Sequence, residues 1–141
     1  MDFIRSEEMK VSLAPEQYEM LSTPEDIKTI IRDNPDTVMA FDILEGDVLI
    51  GFVLVYRFEE RRYFLWEYAI DIAHQNRQKG TQALREFIAY LKRCHEAEVI
   101  TTTYIWGNGQ ARRVYEKVGF VETDVVDEPD CHEVNMIYRC T

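Results

Sequence analysis

The sequence predicts a mixed α/β (α+β) fold, a single domain of residues 1–141 built on one sheet with helices on its faces. Three observations predict it. Runs rich in β-branched and aromatic residues alternate with amphipathic segments along the chain. The longest of those runs, 63–72, passes through a polar, glycine-containing loop into a helical pattern. At 141 residues the chain suits one core that buries about two-thirds of its unfolded surface.

The elements follow in order. A short first strand falls within residues 4–13, which carry no strong period. Ala14-Pro15-Glu16 opens a first helix to residue 21, since proline and glutamate suit a first turn. Thr23-Pro24-Glu25-Asp26 opens a second, with Thr23 as N-cap and the acids at the positive end of the helix dipole. Ile27, Ile30 and Ile31 give it one apolar face, and Asn34-Pro35-Asp36 ends it. Residues 37–44 and 48–56 read as a hairpin in which Gly46 supplies a positive φ.

A charged turn, Glu59-Glu60-Arg61-Arg62, leads to the strand at 63–72. In the helix beyond, opened by Gln82-Ala83-Leu84, Leu84, Phe87, Ile88 and Leu91 take the spacing of a buried face. A strand at 99–106, heavy in threonine and aromatics, ends at Gly107-Asn108-Gly109. The helix at 110–118 turns Ala111, Val114 and Val118 inward and closes at Gly119. Strands at 120–126 and 134–140 complete a set of six to seven strands and four helices. Right-handed connections place the strand at 63–72 beside that at 99–106, and ligands in such sheets sit where strand ends diverge.

Composition narrows the function. No segment approaches the length of a membrane span, and the N-terminus does not read as a signal peptide. Cys94, Cys131 and Cys140 are an odd number without metal-like spacing, which favours a reduced, cytoplasmic setting and gives no reason to expect a metal. Residues 1–50 hold twelve acids against four bases and residues 121–141 six against one, whereas 51–120 hold eight against eleven. A basic middle between acidic ends lacks the broad basic face of a nucleic-acid binder. It suits a protein that holds an anion centrally and draws a cation from outside.

The anion has a place. The loop carrying Gln75, Arg77, Lys79 and Gly80 runs into a helix N-terminus, where unpaired N–H groups and the macrodipole favour a phosphate. The loop Gln75-Asn76-Arg77-Gln78-Lys79-Gly80 and the later set Asn108, Ala111, Tyr115, Gly119 and Phe120 together resemble the two signatures of the GNAT superfamily of acetyl-CoA-dependent N-acetyltransferases. The second set meets every position of its signature. The first departs at Gln78, where the family has its first glycine; glutamine there costs about 1 kcal/mol if positive φ is needed.

The resemblance implies a mostly antiparallel, twisted sheet splayed between its fourth and fifth strands, with the pantetheine arm of acetyl-CoA lying in the gap. It assigns the pantetheine to the main chain of Ile70 and Ile72 and to Asn108, with Ala111 in the same signature. It assigns the pyrophosphate to the N–H groups of residues 77 to 81, including Gln78, Gly80 and Thr81, with charge from Arg77 and Lys79. Without the resemblance, Asn108 reads equally as a helix N-cap and Tyr115 as a core tyrosine. With it, Tyr115 protonates the departing thiolate. Glu67, a carboxylate in an apolar strand, is the general base for an attacking primary amine, a water relay being the alternative.

The segment Leu65-Trp66-Glu67-Tyr68-Ala69-Ile70-Asp71 is similar to the same region of bacterial polyamine acetyltransferases, and the acidic outer segments fit such a cation. An aminoglycoside or a peptide amine fits them too, and a catalytically silent acyl-CoA-binding module is the non-enzymatic reading. The resemblance also makes a homodimer admissible.

Overall fold

The computed structural model describes residues 1–75 and 78–140. Arg77, expected to add charge at the anion loop, lies outside the described residues, as does Asn76. Seven strands form one sheet in the order β1-β2-β3-β4-β5-β7-β6. They are β1 (Asp2–Ser6), β2 (Val38–Glu45), β3 (Val48–Glu59), β4 (Arg62–Ile70), β5 (Val99–Ile105), β6 (Val121–Glu128) and β7 (Cys131–Arg139). The helices are α1 (Pro15–Tyr18), α2 (Pro24–Asp33), α3 (Lys79–His95) and α4 (Gly109–Val118). Every strand pair is antiparallel except β4–β5, which is parallel.

The core lies on both faces of the sheet. On one face Phe41, Val53, Val55, Leu65, Ile100 and Met136 pack with Leu84, Phe87 and Leu91 of α3. On the other, Ile27 of α2 sits fully buried among Val38, Ala40, Phe52, Leu54 and Ala69. The predicted α3 stripe is thus the buried one, and Thr23 caps α2 by accepting the Asp26 N–H at 3.1 Å.

Several boundaries differ from expectation: β3 runs on to Glu59, β6 covers Val121–Glu128, β7 starts at Cys131, and three further shifts have a cause in distant partners. The first strand lies earlier, at 2–6, because its pairing with residues 40–44 of β2 sets it, and that register is a long-range fact. Helix α1 is a single turn that buries nothing; its continuation instead crosses toward the sheet centre. Strand β4 stops at Ile70 and not at residue 72. There Asp71 accepts the Ser12 N–H at 2.8 Å and the Ala73 N–H at 3.1 Å, which turns the chain into a 3₁₀ turn, Ile72–His74.

Two features of β4 position the site. Its ladder with β5 runs from Arg62↔Val99 to Leu65↔Thr102 and then ends, so residues 66–70 and 103–105 diverge. This is the expected splay. The ladder with β3 steps from Val55↔Leu65 to Leu54↔Glu67, leaving Trp66 as the extra residue of a β-bulge. Tyr63 and Leu65 therefore belong to the α3 face, whereas Glu67 and Ala69 turn to the α2 face and Tyr68 and Ile70 take over the α3 face. An unbroken alternation would have kept Tyr63, Leu65, Glu67 and Ala69 on one face. The bulge reverses that.

Candidate active site

A cleft of about 700 Å³ passes through the splay. On the α3–α4 side it is lined by Tyr68, Ile70, Gln75, Gly80, Asn108, Ala111, Val114 and Tyr115. On the other side it is lined by the segment from Leu13 to Ser22, by Phe64, Trp66 and Glu67, and by Thr103 and Ile105 of β5 and Glu133 of β7.

The gap offers backbone. The Asp71 N–H donates to the Ile50 carbonyl at 2.8 Å, so the alternation of an antiparallel pair aims the main-chain groups of Tyr68 and Ile70 away from β3, toward the gap. The Ile70 carbonyl accepts a hydrogen bond from Gln75 Nε2 at 2.8 Å, and that amide also bonds Gln17 of α1 at 2.9 Å. Ile72 stands apart. It lies beyond the strand, is half exposed, and gives its N–H to the Ser12 carbonyl at 2.8 Å. Tyr68, not singled out in the sequence, is the gap-facing neighbour of Ile70.

The anion end is the first turn of α3. Its first intrahelical bond runs from the Gln82 N–H to the Gln78 carbonyl at 3.1 Å, which leaves the N–H groups of Lys79, Gly80 and Thr81 at the open end. Among the described residues no side chain caps it. A Cβ added at Gly80 would lie 3.7 Å from Ile70 Cγ1 and 4.0 Å from Val114 Cγ2, ordinary contacts. The fold therefore does not itself require glycine there. The Tyr68 hydroxyl donates to the Gly80 carbonyl at 2.5 Å and ties this turn to β4. Lys79 does not stand free: its ammonium lies 2.7 Å from both oxygens of Glu45, whose carboxyl it holds below the usual range.

Gln78 occupies the left-handed region, φ 58° and ψ 14°. The departure from the family glycine is thus a strained position. Gln78→Gly is expected to raise stability by about 0.5–1 kcal/mol, the relief of the left-handed strain less the entropy of glycine. A urea melt checks this; an unchanged or lower midpoint would show that the loop has absorbed the strain elsewhere.

At the centre, Glu67 is 5% exposed and accepts the Ser22 N–H at 3.1 Å. Burial raises its pKa, and hydrogen bonds from Ser22 offset part of that rise. Tyr115 of α4 is buried against Phe120, at 5.6 Å between ring centroids. Burial pushes its phenol up, and the charge of Glu67 raises it further. Thr102, itself buried, donates to the Leu65 carbonyl at 3.0 Å, at the last rung before the strands part. Tyr115 and Glu67 thus flank the point where the two halves of the cleft meet, from opposite faces.

Asn108 caps α4, its Oδ1 accepting the Ala111 N–H at 3.2 Å. Its amide also reaches Met20 Sδ at 3.4 Å, so the segment after α1 spans the cleft between Asn108 and, through Ser22, Glu67. Ser22, Met20, Gln17 and Thr102 were invisible as site residues in the sequence. Gln17, Met20 and Ser22 lie far from both motifs, and Thr102, though close before Asn108, carries no pattern that marks it; only folding brings them in. Tyr68 carried a signal, the period-two spacing with Ile70.

The charges of the cleft are partitioned. Its lining carries four carboxylates, Glu16, Glu19, Glu67 and Glu133, and among the described residues no lysine, arginine or histidine. All four sit in the half bounded by the α1 segment, Trp66 and the outer strands. The half bounded by α3 and α4 has none.

A family model described as "Acetyltransferase (GNAT) family" matches residues 3–120. No curated protein sequence matches. Solved structures do. A variant of spermidine N-acetyltransferase SpeG from Vibrio cholerae superposes with a TM-score of 0.73 at 16% identity, covering 89% of this chain and 84% of that one. The aminoglycoside acetyltransferase AAC(6')-Ib, in complex with coenzyme A and kanamycin, gives 0.72 at 20% identity, covering 90% and 84%. The Vibrio cholerae spermidine enzyme in complex with CoA and spermine gives 0.69 at 16% identity, covering 84% and 76%. At these identities the likeness establishes the fold.

Proposed function

The chain belongs to the GNAT acetyltransferase family, and from that premise we propose that it moves an acetyl group from acetyl-CoA to a primary amine of a small cationic acceptor, such as a polyamine, by direct attack in a ternary complex. The observation that carries this reading is the partition of the cleft. A half with, among the described residues, no charged lining side chain and no side-chain cap on its helix N-terminus suits an anionic thioester carrier, and a half with four carboxylates suits a cation. The solved relatives bound to CoA with spermine or kanamycin support the pairing.

Acetyl-CoA fits the residues present. The N–H groups of Lys79, Gly80 and Thr81 would hold the pyrophosphate, with Gln78 shaping the turn and Gln75 bracing it against β4. The main chain of Ile70 and Tyr68 and the amide of Asn108 would hold the pantetheine, Ala111 leaving room beside it. When bound, the thioester supplies an activated acetyl group. Glu67 takes the proton of the attacking amine as the new C–N bond forms. Tyr115 gives a hydrogen bond or a proton to the sulfur as the C–S bond breaks. A homodimer belongs to the same reading, with β6 as an unpaired sheet edge on which Val121 and Val125 are exposed.

The test is thiol release from acetyl-CoA with spermidine, spermine, aminoglycosides and short peptides as acceptors. Turnover with a polyamine supports the reading. Silence across the panel while CoA still raises the melting temperature favours the binding-module alternative. That alternative has two observations on its side: Gln78 is strained, and Lys79 is already paired with Glu45. Gly80→Asp separates cofactor binding from the rest. A carboxylate aimed at the pyrophosphate is expected to weaken CoA binding by about 10-fold or more, read by calorimetry. Equal affinity would mean that the anion binds elsewhere.

A further inference from the structure

The acceptor half of the cleft contains an aromatic floor that the proposed reaction at Glu67 leaves unused. Trp66, the extra residue of the β4 bulge, keeps 38% of its surface open although it follows buried Leu65. Its indole is held from two sides, with ring centroids 6.4 Å from Tyr56 and 6.4 Å from Phe64. Phe64 and Trp66 line the cleft together with Thr103, Ile105 and Glu133, so that one strand, β5, lies between the indole and the Glu133 carboxylate. A cation seated above β5 could face both. An indole face is the strongest aromatic partner for an ammonium, within about 6 Å of the ring.

We propose that Trp66, steadied by Phe64 and Tyr56 and assisted by Glu133, holds a second cationic group of the acceptor, so that the substrate is a linear dication or polycation rather than a monoamine. This rests on the transferase reading of the same cleft and adds a subsite to it. An acceptor with a plain alkyl tail would use the same rings. It would also set half-buried Glu133 against hydrocarbon with, among the described residues, no basic side chain of the lining to pair it, which is costly. Charge complementarity favours the second ammonium.

The experiment compares linear diamines and triamines with monoamines of equal chain length, in the wild type, Trp66→Leu and Glu133→Gln. The wild type is expected to favour the diamine by about 10-fold or more in kcat/KM, the scale of one cation–π contact with a carboxylate nearby. Each variant is expected to lose most of that ratio through a higher KM for the diamine, while the KM for acetyl-CoA holds. A second readout needs no turnover. In a Trp106→Phe background, Trp66 fluorescence should change with the diamine and not with the monoamine.

Transfer to both amines with equal efficiency, or a ratio that survives both variants, overturns the subsite and leaves the transferase standing. Preference for the monoamine of equal chain length overturns it in favour of an apolar tail. No transfer to any amine, with CoA still bound, overturns the transferase reading and the subsite with it.

Discussion

Glu67→Gln is expected to slow acetyl transfer by about 100-fold to 10,000-fold and, at the same time, to raise the melting temperature at neutral pH. The two effects have one cause. The carboxylate is 5% exposed in the sheet interior, and burial raises its pKa in the folded state. A group with a raised folded pKa contributes stability that is complete below its unfolded pKa and is lost as pH rises through the folded value. Ionising Glu67 in the folded wild type therefore costs stability as pH rises through that value. The amide keeps an oxygen for the Ser22 N–H, 3.1 Å from Oε1 in the wild type, and carries no charge.

The gap in melting temperature between the two proteins should accordingly be small below the ordinary carboxylate range and widen as pH rises through the raised folded value. The kcat profile of the wild type should show an acid limb above the ordinary carboxylate range, and the variant should lack it. Calorimetric scans across pH and steady-state kinetics read both. If Glu67→Gln turned over normally, a water relay would have to reach another base. If the variant melted lower at neutral pH, the ionised carboxylate would be making a contribution that its surroundings do not explain.

Tyr115→Phe is the second large effect: kcat is expected to fall by about 10-fold to 1000-fold with acetyl-CoA affinity nearly unchanged. The ring is buried against Phe120 and loses only its hydroxyl, so the helix and its cap at Asn108 should stand. Burial keeps the phenol protonated across the working range, since its pKa lies above the ordinary value of about 10. The proton is thus always present for the sulfur, and no alkaline limb from Tyr115 should appear at moderate pH. The neighbouring Thr102 hydroxyl is committed to the Leu65 carbonyl. Single-turnover and steady-state rates of the variant decide the matter. An unaffected kcat would leave Tyr115 as packing alone.

Much of this molecule was legible in the chain. Local periods gave α2, α3, α4 and the β2–β3 hairpin, because caps, stripes and turn glycines act within a few residues. The order of elements, with the two loop–helix motifs, gave the family and the splay. Boundaries that depend on a distant partner were not legible. β1 is set by its register with β2, the end of β4 by Asp71 reaching Ser12, and the single turn of α1 by a continuation that crosses the cleft to Asn108 and Glu67.

By itself the sequence determined the parts: an amphipathic three-layer domain, a free helix N-terminus after β4, and a tyrosine and a carboxylate on elements next to the gap. Only the tertiary structure decided how they face one another. One extra residue, Trp66, breaks the alternation of β4 and sends Glu67 through the sheet to the acidic half, opposite Tyr115. A bulge leaves no mark in a run where apolar residues occupy both faces, because either register buries enough surface locally. The choice is made by the neighbours, β3 holding one register and β5 releasing the strand beyond Leu65, and those contacts exist only once the chain has folded.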